Sequence, residues 1–213
     1  FVWLDQTNIC YYCLLGRVLQ YNVSQACRSG QQGLLQLLRH GFIATDRNSP
    51  VINNDVLRRI RYTFDFSDDK MMAIFALADY KATRAEISAW LKKDEDPEAE
   101  VCKDPYLAMF LNGLIIDRRG KRDGPQPEPE KRLSNNAIFM KLKIALNLKA
   151  EEVLAIIELA GFAMSKHELS AFFRKPGHKH YRTCHDQILR NFLKGVQLKY
   201  RRSDEATNPS VWK

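Results

Sequence analysis

The chain has 213 residues, of which 45% are hydrophobic and 27% are charged, with a formal net charge of +8. This balance excludes a collagen-like, coiled-coil or wholly disordered chain and indicates one or two globular domains. No apolar run approaches the roughly 18 residues that a membrane helix needs, so we expect no membrane segment. The five scattered cysteines are odd in number, which favours reduced thiols in a cytoplasmic protein.

Residues 1–50 differ from the rest in composition, because they contain no Lys and no Glu. Together with a first residue other than Met, this favours an extension of doubtful authenticity, read from upstream of the true start, with Val51 as an alternative initiation site. The other interpretation is a native extension with a short amphipathic helix around residues 34–38. The single Cys10-Tyr-Tyr-Cys13 is only a weak indication of redox or zinc chemistry.

Beyond this extension, the sequence repeats with a period of 82 residues. Residues 53–114 align on residues 135–196 without a gap, and the identities include both asparagine pairs, Asn53-Asn54 and Asn135-Asn136. Solenoid repeats have periods of roughly 20 to 50 residues, so this longer period predicts two small domains that pack against each other.

Four helices are predicted in each copy. In the first copy, an apolar stripe follows Asn53-Asn54, whose side chains we expect to cap that helix, and a second stripe follows Ser67. The third helix begins at a capping box, Thr83-x-x-Glu86, which the second copy repeats as Ser165-x-x-Glu168. We therefore expect short third helices in both copies.

The fourth helix has the clearest boundaries. Asp104 is expected to cap it, Pro105 suits its first turn, and Gly120 ends it. Gly113 and its counterpart Gly195 fall in mid-helix, where glycine is costly, so they predict close approach of another helix.

No segment alternates with period two, so strands are not needed. We predict an all-α protein, a tandem duplication of a four-helix unit with about eight helices. The expected parts are the first unit at 52–119, a Pro-rich charged linker at 120–134, the second unit at 135–200 and a polar tail at 201–213.

Several segments resemble one bacterial family, domain of unknown function 1456. They are Asn53-Asn54-Asp55-Val56-Leu57-Arg58, Phe110-Leu111-Asn112-Gly113-Leu114-Ile115, Arg118-Arg119-Gly120-Lys121 and Asn135-Asn136. The resemblance covers about residues 52–200 and excludes the first fifty. It implies an uncharacterised cytosolic all-helical protein, and it carries over no active site.

A cluster of ligand-capable side chains, His178, His180, Cys184 and His185, is a weak candidate for a metal site. The corresponding residues of the first copy are Asp96, Glu98, Cys102 and Lys103, so only the cysteine recurs. Solvated histidines followed by a buried thiol are the favoured interpretation, and we expect no metal and no cofactor.

The two copies differ in charge: residues 53–114 have a net charge of −3 and residues 135–196 one of +5. Basic residues of the second copy could therefore contact the phosphates of a nucleic acid. The candidates are Arg174, Lys175, Lys179, Arg182, Arg190 and Lys194. The second and third helices also form a pair like a helix-turn-helix, although the turn is long and no base-reading set is evident.

Neither GxGxxG nor GxSxG occurs in the sequence, so dinucleotide binding and hydrolase chemistry gain no support. We expect a non-catalytic binding or adaptor protein that engages a protein partner or a second copy of itself. The alternative is a nucleic-acid-binding protein that uses the basic second copy, and a metal-dependent enzyme is the outsider.

Overall fold

The structure is a computed structural model that describes residues 51–207, with side chains to Arg201, and three short strands near the N-terminus. The chain divides into two compact units, residues 1–47 and residues 48–213. The strands are β1 (Val2–Leu4), β2 (Ile9–Leu14) and β3 (Arg17–Asn22), and they form an antiparallel sheet in the order β1-β2-β3.

The expectation that strands are not needed is wrong for this N-terminal segment. Ile9–Leu14 is an unbroken run of apolar and aromatic residues, and such a run forms a strand without the alternation on which the expectation rested. Leu14 pairs with Arg17, so two residues connect β2 to β3, a length typical of a hairpin. The helix considered around residues 34–38 lies outside the described residues.

Eight helices fill the described range 51–207, as the sequence predicts. They are α1 (Asn53–Phe64), α2 (Asp68–Leu77), α3 (Arg84–Leu91), α4 (Asp104–Arg119), α5 (Asn135–Ala145), α6 (Ala150–Leu159), α7 (Lys166–Phe172) and α8 (Asp186–Thr207). Helices α1–α4 form the first repeat and α5–α8 the second, which confirms the all-α tandem duplication. Helix α8 continues to Thr207, into the segment expected as a polar tail.

Most of the predicted helix ends are confirmed. The Ser67 hydroxyl accepts a hydrogen bond from the Lys70 backbone N–H. Both capping boxes are present, at Thr83 and at Ser165. Gly120 ends α4 with a φ of 83°, a backbone conformation that favours glycine.

The expectation that Asp104 caps α4 is wrong, because the N-cap is Lys103 and Asp104 is the first helical residue. The Asp104 carboxylate instead accepts hydrogen bonds from Asn53 Nδ2 at 2.8 Å and from the Leu133 backbone N–H at 2.9 Å. It therefore joins α4 both to α1 and to the end of the linker.

The asparagine pairs do not cap their helices, which corrects a second expectation. Asn54 is buried, and its side-chain amide donates to the carbonyl oxygens of Trp90 (2.9 Å) and Glu100 (2.7 Å) and accepts from the Cys102 N–H (2.9 Å). Asn136 makes the equivalent bonds to Phe172, Arg182 and Cys184 at 2.8, 2.9 and 2.9 Å. Each asparagine thus fixes the loop that precedes the last helix of its repeat.

The mid-helix glycines allow close helix packing, as predicted. A Cβ atom on Gly113 would lie 1.9 Å from the carbonyl oxygen of Ile74, and one on Gly195 would lie 1.9 Å from that of Ile156. Real Cβ atoms do not approach backbone oxygens so closely. Helix α4 therefore packs on α2, and α8 on α6, at a distance that only glycine permits.

The two repeats pack reciprocally within one continuous core. Helix α4 contacts α5, and α8 contacts α1, so the last helix of each repeat lies on the first helix of the other. The core includes Phe75 and Phe110 from the first repeat and Phe139 and Phe192 from the second. No helix in the range 51–207 is long and apolar enough to cross a membrane.

Candidate functional site

The loop before the last helix makes the same backbone hydrogen bond to the third helix in both repeats. We call residues 92–103 the first-repeat loop and residues 174–185 the second-repeat loop. In the first, the Glu100 N–H donates to the Ala89 carbonyl at 3.1 Å; in the second, the Arg182 N–H donates to the Ala171 carbonyl at 3.2 Å. The buried Asn54 and Asn136 hold the two loops in the same way.

The first-repeat loop is acidic, and ion pairs partly neutralise it. Its carboxylates are Asp94, Glu95, Asp96, Glu98 and Glu100. Arg58 on α1 pairs with Asp94 at 3.0 Å, and Lys92 pairs with Asp96 at 3.7 Å and also with Glu98. The Glu98 carboxylate raises the pKa of Lys92. Arg58 and Lys92 are therefore engaged with the carboxylates of this loop.

The second-repeat loop contains no carboxylate and exposes four cations. Arg174, Lys175, Lys179 and Arg182 are all exposed. In the part of the chain that the structure describes, no ion pair involves residues 174–185. Arg182 does interact with a carboxylate on α7, because the pKa of Glu168 is lowered mainly by the Ser165 backbone N–H and to a lesser extent by Arg182.

Helix α7 and the second-repeat loop enclose a shallow cleft of about 370 Å³. Arg174, Lys179 and Arg182 line it together with His167, His180 and one carboxylate, Glu168 on α7. The structure thus brings three of the six predicted cations to one place, with Lys175 exposed in the same loop. Only the folded loop shows that α7 brings His167 to these cations.

The other two predicted cations, Arg190 and Lys194, lie on α8 rather than in the cleft. Arg190 is close enough to Arg59 on α1 to contribute to lowering the pKa of Arg59, although burial is the larger cause. Arg190 therefore belongs to the junction between α8 and α1. Lys194 is exposed, one residue before Gly195.

The four metal candidates are not gathered into one site. The His178 and His180 rings lie side by side with centroids 5.6 Å apart, and His178 Nδ1 accepts a hydrogen bond from the His180 N–H at 3.1 Å. Cys184 is instead buried at the end of the second-repeat loop, two residues before α8. Among the described residues, no group of three or more potential ligands could hold a metal ion.

Both cysteines that precede the last helices are protonated thiols in the interior. Burial, reinforced by the neighbouring Asp186, raises the pKa of Cys184 to about 12. Burial and Asp104 do the same to Cys102, whose pKa is also raised to about 12. Because the thiolate is the nucleophile and metal ligand, these positions favour a packing role.

Fold and loop geometry together define a class: a duplicated all-helical protein whose two copies share one framework and differ in surface charge. Residues 53–120 and 135–202 each match the family described as "Protein of unknown function (DUF1456)", so the chain belongs to this family. This confirms the resemblance found in the sequence.

The chain is similar to "Uncharacterized protein YehS" of Escherichia coli (strain K12), with 41% identity over 147 residues. The match covers 68% of this chain and 94% of that protein. No solved structure matches the chain.

Proposed function

We propose that this protein is a non-catalytic cytosolic binding protein whose second-repeat loop holds the phosphates of a nucleic acid. One observation carries the proposal: two loops with the same backbone bonds have opposite charge, and only the second exposes cations without carboxylates. Because the first repeat folds the same loop with five carboxylates, the fold does not require a cationic loop. The charge of the second loop is better explained by what it binds.

The chemistry of the cleft suits a phosphate backbone. Arg174 and Arg182 offer planar guanidinium groups, which pair with phosphate oxygens through two parallel hydrogen bonds, and Lys179 adds a mobile ammonium. The paired rings of His178 and His180 offer flat surfaces beside these cations, on which a base of a single strand can stack. Such a surface binds nucleic acid with little dependence on sequence.

The buried state of the two thiols supports a non-catalytic role. Cys102 and Cys184 have raised pKa values, so they remain protonated at neutral pH and are poor nucleophiles. The proposal therefore assigns the second-repeat loop to binding alone.

Other polyanions compete with nucleic acid for the same loop. An acidic protein is one, and the first-repeat loop of a second copy of this chain is another, which would correspond to self-association. Both are distinguishable from nucleic acid by direct measurement, and both would contradict the nucleic-acid proposal while leaving the loop as a binding surface.

The test is fluorescence anisotropy with a 20-nucleotide single-stranded RNA and a 20-base-pair DNA, titrated between 50 and 200 mM salt. Lys175→Glu with Lys179→Glu should weaken binding at least ~10-fold at low salt and reduce the salt slope by about 2, since two phosphate contacts are removed. Lys93→Glu with Lys121→Glu makes the same change in net charge on exposed residues that lie outside the second-repeat loop. This matched control should lose less than ~3-fold.

Equal losses in the two double variants would show that net charge, rather than the loop, determines binding. Absence of salt-dependent binding in the unsubstituted protein would overturn the proposal. Sedimentation velocity on the same samples reports self-association, because head-to-tail association of loops would give a salt-sensitive rise in sedimentation coefficient without nucleic acid.

A further inference from the structure

A second pocket adjoins the cleft enclosed by α7 and the second-repeat loop, which we call the second-repeat cleft. Its volume is about 340 Å³, at the lower end of the roughly 300–1,000 Å³ typical of small-molecule sites. Glu168 and Arg182 line both spaces, so one ligand can occupy the two together. The other polar groups of this pocket are Thr183 and His185. Its apolar side chains include Phe162, Met164, Phe172 and Ile188, and we call it the Phe162 pocket.

The first repeat fills the equivalent space with aromatic rings. Tyr106 on α4 contacts two others there, with its ring centroid 5.3 Å from that of Tyr80 and 5.1 Å from that of Trp90. The second repeat has Ile188 in place of Tyr106, so it lacks the central ring of this cluster. The Phe162 pocket is therefore the space that an aromatic ring occupies in the first repeat.

The side chains, and not the backbone, account for this difference. The Tyr80 N–H donates to the Phe75 carbonyl at 3.2 Å, and the equivalent Phe162 N–H donates to the Ile157 carbonyl at 3.3 Å. Phe162 is 37% exposed, and within the described range its ring packs against no other aromatic ring. An exposed aromatic face beside an open space is a surface on which a planar ligand can stack.

The pocket also offers a hydrogen-bond acceptor that a tyrosine occupies in the first repeat. There, Glu86 Oε1 accepts from the Tyr80 hydroxyl at 2.8 Å. The equivalent Glu168 uses Oε2 to accept from the Ser165 backbone N–H at 2.9 Å, but Phe162 has no hydroxyl to donate to Oε1. Glu168 is exposed, so a ligand can reach its carboxylate.

From these observations we propose that one unpaired base of a single strand enters the Phe162 pocket while its phosphates lie in the second-repeat cleft, an inference that rests on the proposed function. The base stacks on Phe162 and takes the place of the missing ring. Its exocyclic amino group donates to Glu168 Oε1. Glutamate is a suitable acceptor for the N4 amino group of cytosine. Uracil fits less well, because its N3–H lies between two carbonyl oxygens, which a carboxylate repels.

Fluorescence anisotropy of the full chain with oligocytidine, oligouridine and duplex DNA of equal length tests the pocket. Cytosine and uracil share one ring size, and cytosine has an amino group where uracil has a carbonyl. The ratio of the two affinities therefore reports the contact with Glu168. We expect oligocytidine to bind at least ~5-fold more tightly than oligouridine, as one hydrogen bond to a charged acceptor allows.

Ile188→Tyr introduces the ring that the first repeat has at this position and fills the pocket. It should weaken oligocytidine binding at least ~5-fold, because the base can no longer stack inside. Binding of duplex DNA should be unchanged, since its bases remain paired. Leu159→Tyr introduces the same ring on α6, outside the pocket, at a leucine that is 53% exposed, and should change neither affinity. Circular dichroism checks that both variants fold.

Glu168→Gln tests the acceptor without filling the pocket. Glutamine can replace glutamate in a capping box, so we expect α7 to keep its first turn. Loss of the negative charge should strengthen binding of both single strands. Their affinity ratio should nevertheless fall below ~2, because a glutamine amide can donate to the O4 of uracil as well as accept from cytosine.

Equal affinities of the unsubstituted protein for oligocytidine and oligouridine would overturn this inference, and so would a ratio that persists in Glu168→Gln. Equal oligocytidine binding by Ile188→Tyr and Leu159→Tyr would overturn it as well. In each of these cases salt-dependent binding to the second-repeat cleft remains, and the proposed function is retained. Absence of salt-dependent binding to all three probes would overturn the proposed function and this inference together.

Discussion

The first and the second repeat build their interiors from the same contacts and then diverge at the surface. In each, a buried asparagine on the first helix makes one hydrogen bond to the third helix and two to the loop before the last helix, and a glycine in the last helix meets a backbone carbonyl. The loops held by these contacts carry opposite charge. The shared asparagine and glycine contacts therefore hold the loop in place in both repeats, whereas the side chains of the loop can vary with what it binds.

The junctions between the repeats show the same division. Reciprocal packing of last helix on first helix is kept on both sides, but Met140 and Ile144 on α5 correspond to Arg58 and Tyr62 on α1. Substitutions at equivalent interior positions of the two repeats should therefore change stability by similar amounts. Substitutions at equivalent surface positions should differ in their effect on binding.

The largest effect is expected at the glycines. Gly113→Ala and Gly195→Ala should each lower the free energy of unfolding by about 3 kcal/mol, because the new methyl group forces two helices apart. Urea unfolding measures this, with the exposed neighbour Lys194→Ala as a control expected to change stability by less than about 0.5 kcal/mol. In a helix without a close neighbour, replacing Gly by Ala raises stability. A Gly113→Ala or Gly195→Ala variant that is more stable than the unsubstituted protein would therefore contradict the close packing of these helices.

The buried asparagines come next. Asn54→Ala and Asn136→Ala should each cost about 2 to 3 kcal/mol, since each leaves two carbonyls and one N–H without partners inside the protein. The half-buried Asn53 makes only two bonds, and Asn53→Ala should cost about 1 kcal/mol. Urea midpoints that differ strongly between Asn54→Ala and Asn136→Ala would show that the two loops are held differently.

The pH dependence of stability tests whether the buried thiols Cys102 and Cys184 have equivalent environments in the two repeats. The pKa of each thiol is raised to about 12 in the folded protein, from an ordinary value of 9.0. Folding therefore favours the protonated form, and this contribution is fully present below about pH 9 and is lost as the pH rises toward 12. Urea midpoints should fall between pH 8.5 and 10.5, and less so in Cys102→Ala and Cys184→Ala relative to their own values at pH 7.

Alkylation provides a second readout for the thiols. At pH 8, iodoacetamide should label Cys102 and Cys184 only as fast as the helical unit opens, and peptide mass spectrometry distinguishes these sites from the other cysteines. Rapid labelling of Cys184 with protection of Cys102 would indicate a reactive thiol in the second repeat.

The smallest effect is expected from the ion pairs of the first-repeat loop. Lys92→Ala removes the contacts with Asp96 and Glu98, yet it should produce no measurable shift in the urea midpoint. The second repeat maintains the same loop backbone without these pairs. A clear loss of stability would mean that charge, and not the Asn54 contacts, holds the first-repeat loop.

Local and periodic features were accessible from the sequence. The repeat, the eight helices, the caps at Ser67, Thr83 and Ser165, and the close packing at Gly113 follow from spacing and residue type. Each depends on neighbours within a few residues or on comparison of the two copies, and both kinds of information are present in one chain.

Features that depend on distant partners were not accessible. Asn54 appears at a helix start, where capping is the ordinary role, but its hydrogen-bond partners lie 36 to 48 residues away. Likewise, Arg190 belongs to a basic stretch in sequence and faces α1 in space, which separates it from Arg174 and Arg182. The Phe162 pocket depends on which side chains the fold brings together between α7 and α8, and no local pattern indicates that.

A loop exchange tests the central claim most directly. Residues 174–182 are replaced with the sequence of residues 92–100, except that Gly177 is kept because its φ is 89°. The exchange changes the charge of the second-repeat loop and retains the positions that make the backbone bonds that both loops share. We expect the chimaera to retain its helical circular dichroism and a cooperative urea transition, and to lose salt-dependent binding to RNA and DNA. A folded chimaera that binds nucleic acid as tightly as the unsubstituted protein would contradict the account.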